Sequence, residues 1–178
     1  MYYKHICKLP EPALKSLNES FEELNVYLVT DFNVAIMKKI EEFEQKLFGK
    51  LSMDRWGIVP QIRHGNIFLL KESENSKIIG LAIFMRDFNN INKCYLFDYA
   101  ITPTLQGKNL GYHFLKLLAL YYKENDFNLM ELTCDVDNTN AIKLYKDKLK
   151  FKIIEKELDE YGIGEDRYVL SLDLNNFK

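Results

Sequence analysis

One stretch constrains this chain more than any other: residues 95–112, reading YLFDYAITPTLQGKNLGY. It opens with Tyr95, Leu96, Phe97, Tyr99, Ala100 and Ile101, interrupted only by Asp98. An apolar run this continuous predicts a central strand covered on both faces. Pro103 lacks a backbone donor and fixes φ, so the strand must stop near it. Gln106-Gly107-Lys108-Asn109-Leu110-Gly111 follows. Phe114, Leu115, Leu117, Leu118, Tyr121 and Tyr122 then recur at helical spacing over 111–124. The first turn of such a helix has amides without intrahelical partners and carries partial positive charge. Glycines in the approach let an anion come close, so a phosphate or pyrophosphate is the natural guest. An ordinary glycine-containing turn is the bland alternative. No Lys-Ser or Lys-Thr follows either glycine, and no Gly-x-Gly-x-x-Gly is present. A P-loop and a dinucleotide fingerprint are therefore both excluded.

The remaining pattern is that of a single domain over residues 1–178. Ala13 to Leu24 is predicted helical after a short strand over 2–9 that Pro10 and Pro12 close. A brief strand at 26–30 and a helix over 34–48 follow, the helix capped by Asn33 and ended by Gly49. Ile36, Ile40, Phe43, Leu47 and Phe48 form its apolar stripe. Lys38, Lys39, Glu41, Glu42, Glu44 and Lys46 read as a solvated face. A broken helix after Ser52 carries the one tryptophan, Trp56, which either fills core or covers one side of a cleft. Strands are predicted at 66–71, 77–85, 129–136, 151–157 and 167–174, and a helix at 139–148.

Hydrophobic residues make up 47% of the chain, which excludes wholesale disorder. The net charge of −2 gives no support for a general nucleic-acid binder. No membrane-length apolar run and no signal-peptide hydrophobic region occur, so no membrane association and a cytoplasmic location are expected. Cys7, Cys94 and Cys134 lack metal-ligand spacing and read as buried free thiols. No metal is expected.

Two motifs together resemble the GCN5-related N-acetyltransferase (GNAT) superfamily. The first is the acetyl-CoA loop Gln/Arg-x-x-Gly-x-Gly/Ala, with Gln106 at its first position and Gly111 at its last. Asn109 stands where the first glycine is usual, and asparagine tolerates left-handed backbone better than most residues. The second is Asn-x-x-Ala-x-x-Leu-Tyr, here Asn138, Ala141, Leu144 and Tyr145. The usual following Gly-Phe is Lys150-Phe151, at a spacing one residue longer. The match covers residues 66–174, with 1–65 as a helix-rich substrate-side region.

The resemblance implies an α/β fold whose mixed, mainly antiparallel sheet splays at a central parallel strand pair, 95–101 and 129–136. It implies acetyl-CoA as cosubstrate, with the backbone of Tyr99, Ala100 and Ile101 along the pantetheine arm. The pyrophosphate would rest on Gly107, Lys108, Asn109, Leu110, Gly111 and Tyr112, with Gln106 and Asn138 also in the cofactor set. Lys143 and Lys146 either reach nucleotide phosphates or form a solvated face. Tyr145 matches the family position beside the CoA sulfur, as general acid. Asp98 and Glu131 are candidates for the base, beside Asp135 and Asp137; His64 and His113 are weaker ones. The acidic residues favour a cationic amine acceptor, small molecule or protein. Two alternatives remain: a non-catalytic acyl-CoA-binding sensor, and an interaction module, also compatible with a homodimer.

Overall fold

The computed structural model describes residues 5–178. In chain order the elements are β1 (Ile6–Lys8), α1 (Glu11–Asn18), β2 (Asn25–Val29), α2 (Val34–Phe48), α3 (Arg55–His64), β3 (Asn66–Lys71), β4 (Gly80–Arg86) and β5 (Lys93–Ile101). They continue as α4 (Leu110–Glu124), β6 (Leu129–Asp135), α5 (Thr139–Ile142), a π-helical segment (Lys143–Lys148), β7 (Lys152–Glu157) and β8 (Arg167–Asp173). Residues 2–4 of the predicted first strand lie outside the described residues. The eight strands form one sheet in the order β1-β2-β3-β4-β5-β6-β8-β7. It is mainly antiparallel, and β5 pairs with β6 in parallel. That ladder is described at Lys93↔Leu129, Cys94↔Met130 and Tyr95↔Glu131, the first three residues of β5.

The chain divides into two compact units. The first comprises the residues up to Met85 together with Asp98–Leu110. Its core brings Ile67 and Leu69 of β3, Leu81 and Ile83 of β4, Ile40 and Phe43 of α2, and Ile58 and Ile62 of α3 into one cluster. Each such aliphatic side chain contributes about 1.5–3 kcal/mol by leaving water. α2 forms where the sequence places it, because Asn33 Oδ1 accepts from the amides of Ala35 (2.9 Å) and Ile36 (3.2 Å). Gly49 ends it at φ +56°. α3 starts later than the sequence implies. Its cap is Asp54, whose Oδ1 accepts from the amides of Trp56 and Gly57. α1 stops at Asn18, short of the predicted Leu24; Leu14 and Leu17 are already fully buried, and Glu19 and Ser20 leave the helix as a turn. Pro12 does not close β1 but sits in the first turn of α1, where its missing N–H costs nothing.

The second unit holds Arg86–Phe97 and Gly111–Lys178. Phe114, Leu115, Leu117 and Leu118 are fully buried along α4, and Met130 and Leu170 on paired strands β6 and β8. Tyr122 meets Phe127 edge-on at 5.0 Å, and the Arg86 guanidinium lies 4.6 Å from the centroid of the Phe127 ring. β7 is exposed along its whole length and forms the sheet edge.

Two expectations need correction, and one open alternative is decided. β5 is not covered on both faces: Cys94, Leu96 and Ala100 are buried, whereas Phe97 is 44% exposed. Cys7 is exposed on the three-residue strand β1, while Cys94 and Cys134 are buried. Trp56 is 83% exposed, so it fills no core.

Candidate active site

The correction that matters most for function concerns Glu44. Its position in α2 reads as solvated, yet it is 1% exposed. Its Oε2 accepts from the Met53 amide at 3.4 Å, and its buried Oε1 has no donor among the described groups. The side chain in contact with it is Asp98, on β5. Two acceptor-only carboxylates cannot bond; one proton between them supplies the missing donor. Burial and the Asp98 hydrogen bond push Glu44 up to about 8. Burial also raises Asp98, while the hydrogen bond from Glu44 works the other way. Glu44 therefore carries the proton at neutral pH, and Asp98 is its charged acceptor.

In the same unit, the chain leaves β5 through the Gln106 loop. Gln106 Nε2 donates to the Ile101 carbonyl at 2.9 Å, tying the loop to the end of the strand. Gly107 and Asn109 both take left-handed backbone, at φ +76° and +63°. A Cβ at Gly107 would meet nothing within 4 Å, so that side of the loop is open. α4 begins at Leu110, one residue after Asn109. Its first amides thus follow two left-handed residues, a form that fits an anion of the pyrophosphate kind.

In the second unit, Asn138 caps α5 by accepting from the Ala141 amide at 3.1 Å. The helix then widens: the Leu149 amide donates to the Leu144 carbonyl, a five-residue step, at 3.1 Å. π-turns of this kind are frequent at functional sites. Tyr145 lies within it, 8% exposed, with its ring 5.8 Å from that of Phe151. Lys150, where the family usually has glycine, is left-handed at φ +67°. Its ammonium holds the Asp147 carbonyl at 2.6 Å.

Glu131 is engaged. Lys93 Nζ reaches its Oε1 at 3.2 Å and Asp87 at 2.9 Å, forming a bridge of three charges. The hydrogen bond to Asp87 is the main reason Lys93 is raised, and the one to Lys93 the main reason Asp87 is lowered. Asp135 accepts from the Asp137 amide at 2.8 Å, a local turn. Tyr95 and Thr133 share a hydroxyl hydrogen bond at 2.9 Å across β5 and β6. Among the described residues, no cluster of three His, Cys, Asp or Glu residues could hold a metal, and no helix is long and apolar enough to cross a membrane. Three of the i±3 and i±4 neighbours of Glu44, namely Ile40, Leu47 and Phe48, belong to the apolar stripe, so helical spacing places Glu44 on the buried face and only its charge argues for solvent.

The chain thus forms a mixed sheet with one parallel strand pair, from which a left-handed loop leads into a helix. The sequence profile of the acetyltransferase (GNAT) family matches residues 32–151, more than half of the chain, and the chain belongs to that family. The ribosomal-protein-S18-alanine N-acetyltransferase from Escherichia coli shares the fold with a TM-score of 0.70 at 19% identity, covering 85% of this chain and 94% of its own. A spermidine N-acetyltransferase chimera from Vibrio cholerae and hSSAT gives 0.68 at 14%, covering 87% and 98%. A Bacillus subtilis acetyltransferase in complex with CoA gives 0.62 at 15%, covering 84% and 98%. No curated protein matches the sequence.

Proposed function

We propose that this protein is an N-acetyltransferase that moves an acetyl group from acetyl-CoA to a primary amine, acting as one domain over residues 1–178. The observation that carries this reading is the paired left-handed backbone at Gly107 and Asn109, which opens the first turn of α4 to a pyrophosphate. The backbone of Tyr99, Ala100 and Ile101 would hold the pantetheine arm by strand-like pairing. Gln106 would fix the loop, Lys108 would add positive charge, and Leu110, Gly111 and Tyr112 would present amides. Asn138 would set the helix carrying Tyr145.

Acyl transfer needs a neutral amine, a polarised carbonyl and a proton for the departing thiolate. Asp98, the charged member of the carboxyl pair, would attract a cationic amine and take its proton. The attacking nitrogen forms the new C–N bond as the C–S bond breaks, the Tyr145 hydroxyl protonates the sulfur, and the second proton shed by the nitrogen restores the phenol through solvent. Glu131, held by Lys93, would contribute negative charge to the acceptor side. The spermidine and protein-alanine activities of the similar structures frame the acceptor as either a small polyamine or a protein amine.

The test is a screen of amines with acetyl-CoA, reading released thiol. Turnover on an acceptor, with N-acetylated product seen by mass spectrometry, is expected. Tight acetyl-CoA binding with no turnover on polyamines, amino-terminal peptides or lysine peptides would instead support a sensor.

A further inference from the structure

The first unit encloses a second polar feature, remote in character from amine chemistry. A cavity of about 320 Å³ lies at the end of β3, beside the first turns of α2 and the connection between β3 and β4. Lys71 lines it although it is only 3% exposed, an unusual place for an ammonium. That ammonium donates to the Glu74 carbonyl and stands 5.8 Å from the centroid of the Tyr27 ring. Lys39 lines the same cavity. Among the described residues, neither lysine has a carboxylate within ion-pair distance. Burial, and then Lys39, hold Lys71 below its ordinary value, with Glu74 acting in the opposite direction. Asn33 and Ile36 bring the positive end of the fifteen-residue helix α2 to the same space. The opposite character comes from Leu69 and Ile78, which with Ile36 give the cavity an apolar side.

Two ammoniums and a helix N-terminus against one carboxylate repel a cationic acceptor and favour an anion. Desolvating a lysine without an acidic partner is unfavourable, and an anionic guest would offset it. The volume is at the small end of ligand pockets, large enough for a compact organic molecule. We propose that this cavity binds a small organic carboxylate, its head on Lys71 and Lys39 and its apolar body against Ile36, Leu69 and Ile78.

The test titrates isotope-labelled protein with acetate, butyrate and hexanoate, and with neutral hexanamide, at constant ionic strength. Saturable amide shifts at Ile36, Leu69 and Ile78 are expected, with hexanoate at least about 10-fold tighter than hexanamide and tighter than acetate. Lys71→Met keeps the length of the side chain and removes the buried charge. It should fold with a thermal midpoint at or above that of the parent and lose hexanoate binding at least about 10-fold. Should that variant fail to fold, exposed Lys39→Gln decides, with an expected several-fold loss. Equal binding of acid and amide, no saturable shift with any acid, or unchanged hexanoate affinity in the folded lysine variants would overturn the proposal. So would a Lys71→Met protein that is destabilised while the parent binds no acid, which would make Lys71 a brace for the turn at Glu74.

Discussion

Glu44 of α2, itself buried, keeps its proton and donates a hydrogen bond to Asp98 of β5. Their coupling makes stability depend on pH with a definite sign. In the fold Glu44 holds its proton up to about 8, against an ordinary value of 4.5. Between those limits the native state binds more protons than the unfolded chain, so stability falls as pH rises. The slope approaches about 1.4 kcal/mol per pH unit for one proton. Urea denaturation from pH 5 to 8.5 should show that decline in the parent. Glu44→Gln, whose amide can still donate to Asp98, should flatten it and be the more stable protein at pH 8. Parallel curves would mean the carboxyls share no proton.

Tyr145→Phe preserves the ring, its contact with Phe151 and its burial. If the hydroxyl protonates the leaving thiolate, kcat falls by on the order of 10²–10⁴-fold. Acetyl-CoA affinity and the denaturation midpoint should stay near the parent. Steady-state kinetics with calorimetry on the same preparation separates this from a packing role, for which kcat would be retained.

Asp98→Asn removes the charged member of the carboxyl pair and leaves a hydrogen-bonding group of the same size. A drop in kcat/KM for a cationic amine of at least about 10-fold is expected at pH 7, with recovery as rising pH deprotonates the amine in solution. A pH–rate profile identical in shape to the parent would move the base elsewhere, with Glu131 the next to be replaced.

Gly111→Glu adds a side chain and a negative charge in the first turn of α4. Where a pyrophosphate must approach, that charge repels it. Calorimetry should show CoA affinity reduced more than about 10-fold while thermal unfolding changes little.

Lys150→Gly tests the end of the widened turn. A left-handed non-glycine residue costs roughly 1–2 kcal/mol, partly offset because glycine loses more entropy on folding. Lys150 also gives up its bond to the Asp147 carbonyl. A net gain of up to about 1 kcal/mol in urea denaturation is expected.

Local rules located α2, since Asn33 and Gly49 act on the backbone beside them, and they located the loop before α4. The sequence also shows one extra residue between Tyr145 and Phe151. It cannot show that a π-turn absorbs it, because an α-helical register satisfies the same apolar spacing. Asn109 illustrates the limit of a motif: it departs from the usual glycine, yet it takes left-handed backbone at φ +63°. Tertiary structure alone decided the rest. Glu44 and Asp98 are 54 positions apart in the chain, and only the packing of α2 on the sheet turns a helix charge into half of a carboxyl pair. Lys71 likewise ends a strand as an ordinary polar residue, and only the fold leaves it 3% exposed, against the Tyr27 ring of β2 and the turn at Glu74. Periodicity reports what each element would bury alone; burial of a charge depends on which partner arrives from elsewhere in the chain.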